Sequence, residues 1–135
     1  MDTRARRNPL KEIIMAKSVK SPLQKFLQDS LKMARRRDVI NGREMDDSVN
    51  VAYLMGLYHG QQGLCYWSGE EMTLERGLNE DGNVCFSLCT IDRIDNTLGY
   101  VRGNLRMAQD GVNRMRSNMS DKKFANLCKR IGMKG

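Results

Sequence analysis

The stretch from Thr90 to Ser117, TIDRIDNTLGYVRGNLRMAQDGVNRMRS, constrains this chain more than any other part of it. Val84 to Ile94 is β-branched and apolar and predicts a strand, with two carboxylates, Asp92 and Asp95, at its end. Asn96 to Gly103 is dense in turn residues and predicts a loop. Residues 104–117 predict a helix, with Ala108, Val112 and Met115 on one face and Asn113 and a row of arginines along it. Acids at a strand end, a polar side chain on the next helix and cations beside them can hold a metal ion against a phosphate.

An earlier strand is expected at Leu64–Trp67, turned by Ser68-Gly69, with residues 75–83 a loop and Asp81-Gly82 a hairpin turn. Two strands followed at once by a helix make a ββα unit. Upstream, Ser21-Pro22 is a helix start, and Leu23, Phe26, Leu27, Leu31 and Ala34 recur at helical spacing, so 22–37 predicts an amphipathic helix. Asn41-Gly42 turns the chain, and Asp46, Asp47 and Ser48 offer a cap and an acidic first turn for a helix over 48–60. Ser120 caps a last helix, 121–131. Residues 1–20 form a basic arm without a clear period, apart from one short helical turn at Leu10, Ile13 and Ile14. The expected organisation is the arm, a basic amphipathic helix with its linker at 21–47, and an α+β domain over 48–135.

The net charge is +7, and it is segregated. Residues 1–45 carry +7, residues 46–105 carry −6 and residues 106–135 carry +6. Basic ends around an acidic middle suit a polyanion approaching a cation-loaded site, although solvated helix faces produce the same balance. Arg35, Arg36 and Arg37 complement a helix C-terminus as readily as they hold phosphate. His59, the one histidine, sits in an expected last turn, where a dipole partner is the plainer reading than a base. No apolar run approaches a membrane span, and no apolar signal core follows the basic N-terminus, so a cytoplasmic location and no membrane partner are the default expectations. Cys65, Cys85, Cys89 and Cys128 are too few for a disulfide framework and read as free thiols.

The run GLCYWSGEEM, then DRIDN…GY…GN followed by NRMRSN and a helical tail, resembles the phage and bacterial HNH endonucleases over roughly residues 48–131. The resemblance implies a ββα-metal (His-Me finger) core, flanked here by N-terminal helices and a C-terminal helix. It implies hydrolysis of double-stranded DNA with one divalent cation. Position by position, Asp92 falls on the acidic metal ligand, Asn104 on the asparagine that orders the loop, and Asn113 on the helical second metal ligand. Oxygen donors of this kind suit Mg²⁺ or Mn²⁺.

Arg93 stands where the family's histidine base is usual. A guanidinium is always protonated and cannot take a proton from water, but it can grip a phosphate in two places. Asp95 is one substitute base, and a water activated by position and metal is another. Arg102, Arg106, Arg114 and Arg116 flank the site as expected phosphate contacts. Several HNH families carry a structural zinc held by paired cysteines; here the run is Cys65-Tyr66-Trp67-Ser68, and Gln109 and Val112 stand where further cysteines would lie, so structural zinc is not expected. One finger cuts one strand, which leaves a homodimer open for double-strand cleavage. A finger that only binds nucleic acid, or a phage or host protein partner, is the competing reading.

Overall fold

The computed structural model describes residues 19–135; most of the expected basic arm, with its turn at residues 10–14, lies outside the described residues. Helix α1, Pro22–Ile40, starts as its sequence predicts. Ser21 Oγ accepts from the Gln24 amide at 3.1 Å and Gln24 Oε1 accepts from the Ser21 amide at 2.9 Å, a reciprocal capping box. The helix passes the arginine cluster and ends at Asn41, whose side chain and backbone amides donate to Arg37 O at 2.7 and 2.9 Å. Phe26, Leu27, Leu31 and Ala34 form its buried stripe.

Helix α2, Val51–Gly60, begins later than the acidic run suggests. Asn50 is its cap, accepting from the Tyr53 amide at 2.9 Å. Asp46 folds instead into a local turn, accepting from Ser48 N at 2.9 Å and from the Arg102 amide at 3.0 Å.

The hairpin differs from the sequence expectation. Strand β1 is Cys89–Arg93 and its antiparallel partner β2 is Leu105–Gln109, inside the predicted helix. Leu, Arg, Met, Ala and Gln all favour a helix locally, but each of the five β2 residues is buried, and burial on both faces decides the conformation. Leu64–Trp67 and residues 84–88 contribute only isolated bridges, Leu64 to Glu71 and Thr73 to Leu88 among them. Helix α3, Asp110–Arg116, follows β2 directly, and α4 is Asp121–Lys134, capped by Ser120. The ββα unit is therefore β1, an eleven-residue loop and β2, then α3.

Successive strand residues face opposite ways. Thr90 and Asp92 meet α3, as their hydrogen bonds to Asn113 and Arg116 show, while Cys89 and Ile91 share a recess with Ser30 and Met33 of α1. The architecture is α+β, and among the described residues no helix is long and apolar enough to cross a membrane.

Candidate functional site

The loop between the strands is held by one side chain. Asn104, 5% exposed, accepts from the Asp95 amide at 2.8 Å and donates to Asp95 O and Gly99 O at 3.1 and 3.0 Å. These bonds close the turn from both ends. Gly99 lies so close to Glu44 O and the Asp38 carboxylate that a Cβ has no room, and the next amide, Tyr100 N, donates to Asp38 Oδ2 at 3.0 Å. Asp38 is 1% exposed and also accepts from Arg43 Nε at 2.9 Å. The Gly-Tyr pair thus ties the loop to α1.

Arg93 turns into that loop. Its Nη1 donates to Asn96 O at 2.8 Å and Leu98 O at 2.9 Å, and its guanidinium lies 5.5 Å from the Tyr100 ring centre. Asp95 is exposed and accepts from Thr97 N and Oγ1 at 2.9 and 2.6 Å. Those two bonds, side chain first, hold its carboxyl below the usual carboxylate range. It is an acceptor able to orient water, and a weak base.

Across the α3-facing side of β1, two pairs lie in register. Thr90 Oγ1 donates to Ala108 O at 2.8 Å and accepts from Asn113 Nδ2 at 3.4 Å. Two residues along the strand and one turn along the helix, Asp92 Oδ1 accepts from Arg116 Nη2 at 2.7 Å. Asp92 Oδ2 accepts from Arg106 Nε at 2.8 Å, its cross-strand partner. Arg106 reaches on to Asp121 with two bonds of 2.7 Å. Asp92, Arg106 and Arg116 are 1%, 5% and 1% exposed, so one acid and two guanidiniums neutralise one another below the surface, with the partly exposed Asp121 completing the charge balance at its edge.

Burial alone would lower the Arg106 pKa, but its bonds to Asp121 and Asp92 outweigh that and hold it firmly protonated. The bond to Arg106 in turn holds Asp121 below the usual carboxylate range. Tyr66 and Trp67 flank the Arg106 guanidinium at 4.1 and 5.0 Å from their ring centres, shielding it from water.

This arrangement separates residues that the sequence grouped. Arg106 and Arg116 were expected on the DNA-facing surface; they are buried and ion-paired, because β2 turns Arg106 inward opposite Asp92. Arg102 is exposed but bonded to Ser48 O at 2.7 Å, with its guanidinium 4.4 Å from the Tyr53 ring centre. Arg35 donates to Val49 O at 2.9 Å, and Arg114 pairs with Asp110 at 2.7 Å. Arg36 and Arg37 are exposed near the end of α1. Asp121 and Asp38 escaped the sequence reading: each was hidden behind a simpler explanation, a helix start and a helix end.

The zinc-like corner is rebuilt from hydrogen bonds. Ser68 Oγ donates to Gln109 Oε1 at 2.7 Å and the Gln109 amide donates to Cys65 Sγ at 3.3 Å. The expected Mg²⁺ or Mn²⁺ ligands do not fit a cation as arranged. Both Asp92 oxygens are taken by guanidiniums, whose charge repels a cation. Among the described residues no group of three or more His, Cys, Asp or Glu side chains could hold a metal ion.

No family model matches the chain, and no curated protein matches it by sequence. A solved structure of the rare-cutting HNH restriction endonuclease PacI matches 76% of this chain and 73% of that one, with a TM-score of 0.55 and 22% identity. The chain has an HNH-like fold. At that identity the likeness concerns the fold alone, and within it β1, the Asn104 loop, β2 and α3 form the ββα unit.

Proposed function

We propose that this chain is an HNH-type endonuclease that binds double-stranded DNA and hydrolyses one phosphodiester bond per monomer. The observation that carries this reading is the order and facing of the ββα unit: Asp92-Arg93 ends β1, Asn104 closes the loop, and Asn113 presents its amide from α3 beside Thr90. In this reading Asn113 touches the scissile phosphate and Asp95 orients the attacking water. Arg36, Arg37 and Arg114 supply cations to the DNA backbone. Phage origin, and a role in homing, packaging or competition, accord with the resemblance.

No step is assigned to Mg²⁺ or Mn²⁺, because Asp92 is committed to Arg106 and Arg116. That same commitment favours a second reading, in which the fold binds DNA without cutting it. Supercoiled plasmid separates the two. Conversion to nicked circles, tested with Mg²⁺, with Mn²⁺ and with chelator, supports the endonuclease. Salt-sensitive binding with every plasmid molecule left supercoiled supports the binding module.

A further inference from the structure

A recess beside β1 gathers two guanidiniums, neither of which forms an ion pair with a carboxylate among the described residues. Ser30, Met33 and Arg37 of α1, the Cys89–Ile91 run of β1 and Arg76 from the segment between α2 and β1 line it. Its volume is about 40 Å³, enough for about three water-sized groups, the scale of the oxygens of one phosphate. Arg76 is held in place: Nη2 donates to Ser30 Oγ at 2.5 Å and Phe26 O at 3.1 Å, and its guanidinium lies 4.1 Å from the Phe26 ring centre. Arg37 Nη1 donates to Tyr100 Oη at 3.3 Å. Among the described residues, neither arginine has a carboxylate within ion-pair distance. Of the two acids on the same helix, Asp38 is bonded to Arg43 and Asp29 pairs with Lys25 at 3.3 Å.

Two like charges fixed around one opening repel each other unless an anion enters. Burial lowers the Arg76 pKa, the nearby Asp29 carboxylate opposes that and the Arg37 charge adds a smaller lowering, yet a guanidinium stays protonated. The remaining donors suit tetrahedral oxygens, since arginine binds phosphate through paired N–H groups. Thr90 borders this recess while its hydroxyl turns to the α3 side, where it bonds Ala108 O and Asn113, so the strand that lines the recess also carries the Asn113 contact.

We infer that the recess between Arg37 and Arg76 is a phosphate-binding site. On the proposed function, on which this source of the phosphate rests, it holds a backbone phosphate of the DNA strand that Asn113 contacts. Arg76 then joins the DNA-contacting residues, which the sequence had assigned to other arginines.

The full chain is titrated with inorganic pyrophosphate and followed by NMR. Shifts at Ser30, Arg37, Arg76 and Thr90 that vanish in Arg76→Gln are expected. In parallel, binding of a non-specific duplex oligonucleotide is measured by fluorescence anisotropy over a range of NaCl without divalent cations. Arg76→Gln and Arg37→Gln should each make the slope of log K against log salt shallower by about 1. Arg37→Gln, at an exposed helix position, carries the test if Arg76→Gln does not fold. Signals that do not move, or that move equally in Arg76→Gln, overturn the site. Pyrophosphate shifts in a chain that binds no duplex leave the phosphate site standing and remove the DNA reading. Duplex binding with an unchanged slope removes the DNA phosphate from this recess.

Discussion

Asp92 Oδ1 lies 2.7 Å from Arg116 Nη2, and both side chains are 1% exposed. The contact joins β1 to the end of α3, and Arg106 and Asp121 extend it to β2 and α4. A buried ion pair adds little net stability when formed, since desolvation offsets attraction, but removing one member strands the other charge. Asp92 therefore holds the unit together as arranged, whatever else it does when DNA is bound.

Asp92→Ala should cost roughly 3–5 kcal/mol of stability, because two buried guanidiniums lose their shared acceptor. Asp92→Ala combined with Arg116→Ala should cost less than the sum of the single variants. Urea unfolding of all three proteins measures this coupling. Additive losses would mean that the pair does not interact in solution.

Asp121 makes stability sensitive to acid. Its folded pKa lies below the unfolded value of about 3.9. The contribution is therefore present above about pH 4 and is lost as pH falls through the folded pKa. Asp46 and Asp95 are lowered too and act in the same direction. Asp121→Asn should flatten, without abolishing, the loss of stability between about pH 4 and pH 2, read from thermal melts at each pH. An acid limb as steep as the parent's would remove Asp121 from the network.

Asn104→Ala deletes three hydrogen bonds within one loop. At about 1 kcal/mol each, the loss should approach 3 kcal/mol. Amide exchange should quicken most at Asp95, whose N–H loses its acceptor. Exchange quickening uniformly along the chain would show global destabilisation instead of a loop brace.

Cys89 is buried, and burial pushes its thiol up to about pKa 12. It should resist a thiol reagent at neutral pH in the folded protein, while exposed Cys128 reacts. Peptide mass mapping after brief labelling distinguishes the two positions.

Much of this was legible in the residues. Ser21 and Ser120 marked two helix starts because a side-chain cap is a local signal. The Asn104 loop and the Gly99-Tyr100 pair stood out as motifs, although only the structure links them to Asp38. Strand β2 was not legible, because LRMAQ carries helix-favouring side chains and its extended form depends on partners far along the chain. Misreading β2 hid the ion-pair network: only in a strand does Arg106 fall opposite Asp92. Arg76 was missed for a similar reason, since it stands alone in a loop and meets Arg37 only through folding.

The most direct test of the proposed function is the nicking rate of Asn113→Ala on supercoiled plasmid. Asn113 is partly exposed and, among the described residues, its side chain makes a single bond, to Thr90, long at 3.4 Å, so the variant should fold and bind DNA like the parent. The account predicts nicking by the parent and a loss on the order of 100-fold in the variant, the scale seen when one transition-state contact is removed. A parent that binds plasmid but never nicks it, or a variant that nicks at the parent's rate, would contradict it.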